Sequence, residues 1–358
     1  MIEKQNLFVS GEGGYDTYRI PALVLAANGD LLAFCEGRRD ARGDAGKIDL
    51  LLRRSTDNGA TWSAPAVVWA DGENTCGNPS PVVDPASGDV LLFSTWNLGT
   101  DREPAIVARE SQDTRRVFLL RSRDHGKTWS AAEEITADVK PPEWTWYATG
   151  PGAGIAIERG PHKGRLVIPC DHIEGEDRYS HAILSDDGGH TWRLGGRIGP
   201  DVNECEAVEL ADGRLLMNMR NHQRTETHRK LAFSADGGET WTEPQSDPVL
   251  VEPVCQAAIR RYRWPDGNQP GVILFSNPAC TCSGPDLGRR NMVLRASFDE
   301  AKTWPVALVL HAGLAAYSDL AGAPDGTICC IYEHGEAERF SEQIVLARVS
   351  GEKLKIRE

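Results

Sequence analysis

Several stretches of this chain gather groups able to move protons or hold charge. "EGRRDARGDAGKIDL" (Glu36–Leu50) sets Asp40, Asp44 and Asp49 among arginines and glycines. Asp44 falls in a glycine-flanked loop, Asp40 reads as an ordinary loop charge, and Asp49 as the polar opening of a strand. "NECEAVEL" (Asn203–Leu210) offers Glu204, Glu206 and Glu209. In an extended segment Glu204 and Glu206 share one face while Cys205 points away. In "YRIP" (Tyr18–Pro21), Arg19 lies between two bulky residues, in a strand-like run where a charge is expensive to bury unpaired. "PPEWTWYATGPGAG" (Pro141–Gly154) holds Trp144, Trp146 and Tyr147 in a Pro- and Gly-bounded loop. Aromatics exposed in such loops line pocket rims, and at least one of the three belongs to the core. Asn78 in "GNPSPVVD" and Gln256 in "PVCQAAI" can offer amide hydrogen bonds, or serve as turn and strand-end residues.

The elements that must position these groups are set by a repeat. "STDNGATW" (Ser55–Trp62) returns as "SRDHGKTW" (Ser122–Trp129), "SDDGGHTW" (Ser185–Trp192), "SADGGETW" (Ser234–Trp241) and "SFDEAKTW" (Ser297–Trp304). The Asp accepts backbone N–H bonds and holds the turn closed, the Gly permits positive φ, and the Trp tucks against the sheet. Ala301 takes the Gly position in the fifth copy, so that turn is either distorted or tolerant of an ordinary residue. Five identical acids suit a stapling role better than a catalytic or calcium-binding one, because catalysis needs one asymmetric site. Short apolar strands flank the copies, as in "KIDLLLRRS" and "NMVLRASF", and no run of ten or more residues has helical periodicity. The spacing predicts an all-β, six-bladed β-propeller of four-stranded antiparallel sheets, roughly 60 residues to a blade, with one blade lacking a copy. The chain, residues 1–358, is expected to be a single domain.

A formal charge of −13 sets the average surface against nucleic acid and anionic lipid, so an anionic ligand needs a local cluster of Arg or Lys. No run reaches the roughly 20 apolar residues of a membrane span. No basic flank leads into an apolar stretch at the start, and nine scattered cysteines read as buried thiols, which favours a reducing compartment. Cys280 and Cys282 lack a second pair or nearby histidines, which argues against zinc.

The octapeptides are Asp-boxes. With "YRIP" upstream of the first, the chain resembles bacterial exo-α-sialidases, retaining glycoside hydrolases, from Tyr18 to about Tyr332. Tyr18 stands where Phe is more usual, and the fifth box is degenerate. The resemblance implies three arginines from different blades gripping the carboxylate of a sialic acid: Arg19, Arg220 in "LLMNMRN", and Arg289 in "DLGRRNMVLRAS", with Arg290 as the alternative. It implies Tyr317, in "AAYSDLAG", as nucleophile, since an attacking carboxylate would be repelled by the substrate's own charge. Glu204 is then the base that takes the phenol proton, and Asp44 the acid/base at the leaving oxygen. Arg38 matches an arginine that touches the sugar 4-hydroxyl in relatives; Asn78, Trp146 and Gln256 are expected to line the rest of the pocket.

The expected activity is hydrolysis of terminal α-linked sialic acid, without metal or cofactor, by a monomer or weak homo-oligomer. Its partners are sialylated glycans or free sialosides, with no nucleic acid and no membrane. A non-catalytic carbohydrate-binding propeller is the alternative, and the Tyr–Glu–Asp set discriminates against it. A trans-sialidase or a KDN-preferring hydrolase would share the same residues.

Overall fold

The computed structural model describes residues 2–222, 226–281, 288–336 and 339–356; Cys282 lies outside them. Strands dominate, joined by two short helices, Glu103–Val107 and Thr136–Val139, and a closing 3-10 turn at Gly351–Leu354. The described strands form four antiparallel sheets. An eight-stranded sheet runs from Thr17–Leu25 to Glu133–Glu134, its halves joined only by the parallel bridge Ile48↔Thr75. A five-stranded sheet spans residues 144–198 and a four-stranded one residues 202–251. The seven-stranded sheet begins at Ala258–Arg263, and its long strand Val306–Gly322 pairs first with Arg290–Ser297, then with Ile328–Gly335.

One edge of that last sheet carries no box. Each Asp-box is the turn between a strand and the next, outermost one, as between Ile48–Ser55 and Ala66–Trp69. In the final unit the outermost strand is Glu3–Val9, which pairs with Gln343–Val349 and joins the two ends of the chain. No hairpin exists there, so there is no turn to staple.

The boxes share one geometry. In the first, Ser55 Oγ donates to Asp57 at 2.8 Å and accepts from Gly59 N at 2.9 Å; Asp57 accepts from Thr61 N at 2.8 Å and from its hydroxyl at 2.6 Å. The fifth copy repeats it: Ala301 takes φ +61° and its N–H still reaches Ser297 Oγ at 2.9 Å. The turn is therefore undistorted, and Ala301 carries the left-handed conformation. Two of the box tryptophans pack edge-on against core phenylalanines: Trp129 on Phe34 at 5.8 Å and Trp192 on Phe93 at 4.6 Å between ring centres. The first links the turn after Arg116–Ser122 to the strand Leu31–Arg38, the second the turn after Asp177–Ser185 to the strand Val90–Asn97. Fully burying a ring such as Phe34 or Phe93 stabilises by about 2–3 kcal/mol. Seven of the eight described cysteines are buried.

Candidate active site

The strands that begin each unit do not run straight. Register breaks fall between Arg19 and Ala22, Gly77 and Ser80, Trp144 and Tyr147, Val202 and Cys205, and Ala315 and Ser318. A β-bulge of this kind re-aims side chains that a regular strand would alternate between its faces. Within or at the edge of these breaks lie Arg19, Asn78, Trp146, Glu204 and Tyr317, and all five line one cavity of about 240 Å³. Ile20 and Asn78 adopt φ of +55° and +52° there. For a β-branched residue such as Ile20 this is a strained conformation, of a kind that persists only when its surroundings enforce it.

Buried carboxylates supply that enforcement. Glu333 is completely buried and accepts from Arg19 Nε at 3.0 Å, Arg19 Nη2 at 3.2 Å, Ile20 N at 3.0 Å and Tyr317 N at 3.4 Å. Glu36 holds Asn78 N at 2.7 Å with one oxygen and Arg38 at 2.6 and 2.9 Å with the other. Neither acid was expected from sequence. The argument that flagged Arg19, a charge in an apolar strand, applies equally to Glu333 in "CCIYEHG" and would have found its partner.

At the centre, the Tyr317 hydroxyl donates to Glu204 Oε1 in a very short hydrogen bond. Arg220 Nη1 lies 2.6 Å from Glu204 Oε2 and 3.2 Å from the Tyr317 oxygen. The guanidinium carbons of Arg19 and Arg289 lie 5.0 and 5.5 Å from the Tyr317 ring centre, and each is 5.3 Å from that of Phe340. The three arginines thus meet around one phenol. Arg290, by contrast, is exposed on its strand. Asp44 stands at the mouth with its side chain 61% exposed, 2.8 Å from Arg38 Nη2 and 3.7 Å from Arg19 Nη1. Arg38 also donates to the carbonyls of Arg42 and Gly43, which ties the Asp44 loop down.

Charge sets the resting protonation. Desolvation pushes the Glu204 carboxyl up, but Arg220, the Tyr317 hydrogen bond and Arg289 together outweigh it and hold the group below its usual range, so it rests ionised. Desolvation, then the neighbouring Glu204, drives the Tyr317 phenol well above its ordinary value, against the pull of Arg220, Arg289 and Arg19. The phenol therefore rests protonated. Partial desolvation of Asp44 is likewise overridden, by Arg38 first and Arg19 second, and its carboxyl is lowered.

The other expectations divide. Trp146 lines the cavity, its ring 3.9 Å from the Arg115 guanidinium, whereas Trp144 and Tyr147 are buried core. Gln256 is a correction: it is absent from the cavity lining and 1% exposed, its amide bonded to both Ser318 N and Ser318 O at 2.9 and 3.0 Å. Its hydrogen-bonding capacity is spent on the backbone beside Tyr317. Glu206 receives Ile259 N, Glu209 receives Glu158 N and Arg159 N, and Asp49 receives Tyr15 and Arg39; these three acids also stay out of the cavity. Sequence reasoning missed Glu103, Arg115, Asp171 and Arg178, which line the wall. Arg115 precedes another arginine and nothing local sets it apart; Asn78, Thr95, Asn97 and the Tyr147 carbonyl bind it.

A family model described as a BNR repeat-like domain matches residues 29–330. A "Sialidase" of Micromonospora viridifaciens is 36% identical over 357 residues, 95% of this chain and 53% of the relative. An "Exo-alpha-sialidase" of Aspergillus fumigatus is 33% identical over 303 residues, 80% of this chain and 69% of its own length. Among solved structures, "Hadza microbial sialidase Hz136" matches with a TM-score of 0.85 at 30% identity, covering 97% of this chain and 68% of that one. The sheets are those of a β-propeller of the BNR-repeat class. Within that class the chain belongs to the sialidase family, and it spans about half the length of the Micromonospora relative.

Proposed function

We propose that this chain is an exo-α-sialidase that hydrolyses terminal α-linked sialic acids with retention, through a covalent Tyr317 adduct. The observation that carries the reading is the convergence of Arg19, Arg220 and Arg289 on one phenol that is already hydrogen-bonded to a base. Three guanidiniums in one small cavity match a carboxylate set directly on the anomeric carbon. Glu204 takes the phenol proton as the Tyr317 oxygen attacks that carbon, and Asp44 protonates the departing oxygen. Water, giving a proton to Asp44, then attacks the same carbon; the bond to the Tyr317 oxygen breaks, Glu204 returns its proton to that oxygen, and the sugar leaves with its original configuration. The relatives' names, sialidase and exo-alpha-sialidase, support the same substrate class.

The scaffold reading is a six-bladed propeller in one domain. The eight-stranded sheet divides into two groups of four at its single bridge, and the seven-stranded sheet into two groups that share the strand Val306–Gly322. With the two smaller sheets this makes six units, five of them carrying an Asp-box.

The test is turnover of a fluorogenic α-sialoside, together with mass spectrometry after exposure to a 3-fluorosialyl fluoride. Release of the fluorophore and a sialyl adduct on Tyr317 are expected. Sialoside binding without turnover or adduct would instead assign the chain as a carbohydrate-binding propeller.

A further inference from the structure

Outside the cavity, three chemistry-bearing side chains meet where the long strand Val306–Gly322 changes partners. His311 lies on its first part, His334 on the strand Ile328–Gly335, and Glu336 just beyond that strand. Their ligand atoms lie within 4.8 Å of one another, and none of the three lines the active-site cavity. An irregularity brings them together. Between the pairs Met292↔His311 and Arg290↔Leu314 the long strand carries one extra residue, and directly after it Leu314 and Ala315 pair with Gly335 and His334. Gly313 sits in that gap. A β-carbon there would come 2.6 Å from His311 Nε2, so a side chain would push the ring away from Gly335. The two imidazole rings stand 4.0 Å apart between centres.

Each ring is prepared in its own way. A carbonyl only accepts, so in the neutral ring His311 Nε2 carries the proton that reaches Gly335 O at 3.1 Å, and Nδ1 keeps its lone pair. Histidines that ligate metals are oriented by this same outer bond. His334 is 6% exposed. Its Nε2 lies 3.2 Å from Glu336 Oε1, and its Nδ1 is buried with no hydrogen-bond partner among the described residues. The chain thus leaves half of a buried imidazole unsatisfied, which points to a group from outside that completes the set. We propose that His311, His334 and Glu336 bind a divalent transition-metal ion of the zinc type. Two imidazole nitrogens and one carboxylate suit zinc, cobalt or nickel, whereas calcium and magnesium favour sets of oxygens. Donors around a tetrahedral zinc stand about 3.3 Å apart, a spacing that His334 and Glu336 already meet. His311 Nδ1 supplies the third donor and a water the fourth. The ion ties the segment leading to Tyr317 to the strand that carries Glu333, without touching substrate.

The experiment uses the full chain without an affinity tag, stripped of metal with EDTA and dialysed. It is titrated with zinc chloride by calorimetry at neutral pH, with calcium chloride as the comparison. Zinc should bind once per chain with micromolar or tighter affinity, and calcium should not bind. Cobalt chloride should give the visible bands of a four-coordinate site. Zinc at about 100 times its Kd should raise Tm by about 4 °C. His311→Ala should weaken zinc binding by about 100-fold, and Glu336→Gln, which alters only an exposed side chain, by about tenfold. His311→Gln replaces the alanine variant if that one does not fold. Absence of saturable zinc binding, an affinity undiminished in either variant, or equal binding of calcium overturns the assignment. None of these readouts uses turnover, so their outcome stands apart from the sialidase reading.

Discussion

Glu333→Gln removes one negative charge and almost no volume, and it isolates what a buried acid does for this site. Glu333 is fully buried and its two oxygens take four donors: Arg19 Nε and Nη2, Ile20 N and Tyr317 N. A glutamine has one acceptor oxygen, and its NH2 must face a donor whichever way it turns. Removing a partner from a buried ion pair outright costs about 3–5 kcal/mol. The amide keeps part of the network, so the expected loss is about 2–3 kcal/mol. For a chain of 358 residues that is a fall in Tm of about 3–4 °C.

The same change frees Arg19 to swing toward Asp44, 3.7 Å away. A misaligned guanidinium forfeits a charge-assisted contact worth about 1.5–3 kcal/mol, so KM for an α-sialoside should rise about 10- to 100-fold. The assay pairs differential scanning calorimetry with steady-state kinetics. A lowered Tm with a normal KM would remove Arg19 from the carboxylate grip. An unchanged Tm would show that this buried pair does not stabilise the fold, and with it the account of how Ile20 is held at positive φ would fail.

Four further outcomes are expected. Glu204→Gln leaves the phenol without a base, and kcat/KM should fall by about 10²–10⁴-fold, read by the same fluorogenic assay. Asp44→Ala should hurt a sialyl-lactose substrate far more than an aryl sialoside, whose leaving group needs little protonation; equal losses would take Asp44 out of the acid role. Asp187→Ala removes the acceptor for Thr191 N, the Thr191 hydroxyl and His190 N, and should cost about 1–2 kcal/mol in denaturant unfolding while kcat/KM stays unchanged. Acid stability follows the boxes. Hydrogen bonds led by the Thr61 hydroxyl hold Asp57 at about 2, and at Asp187 similar bonds outweigh desolvation and also leave it at about 2. A carboxyl lowered by folding contributes stability that is present above its unfolded value, near 4, and lost as pH falls through about 2. Denaturation midpoints should therefore drop between pH 4 and pH 2, and less so in the Asp57→Asn, Asp187→Asn double variant.

The repeat and the chemistry-bearing side chains were legible in the sequence for different reasons. The octapeptide is a local object: its hydrogen bonds close within seven residues, so its spelling carries its structure. Arg19, Asp44, Glu204, Arg220, Arg289 and Tyr317 were placed by resemblance, and all of them line the cavity. What could not be read is non-local. Nothing in "YRIP" announces that Ile20 takes positive φ, because a glutamate 313 residues away holds it there. The absence of a box beside Gln343–Val349 has the same origin, since only the pairing of that strand with Glu3–Val9 shows that no hairpin was needed there. Gln256 was misplaced because a polar residue at a strand end looks alike whether it meets a ligand or, as here, the backbone of Ser318.

The resting charges pose a problem whose answer lies in the order of events. Tyr317 is driven above its ordinary pKa although three arginines surround it, and Asp44 is held below its own although the proposed mechanism has it donate a proton. In that mechanism a substrate carboxylate entering among the arginines offsets part of their charge. For Tyr317 this makes a free phenolate still less accessible, so the proton must pass to Glu204 as the bond to carbon forms, along the hydrogen bond already in place. For Asp44 the same event weakens Arg19, the second of the two cations that depress it, and adds a negative charge nearby. Its pKa then rises toward the protonated state that the leaving group requires. On the proposed mechanism, substrate binding thus guards the nucleophile against premature ionisation and loads the acid, and both effects come from placing one carboxylate where Arg19 can reach it.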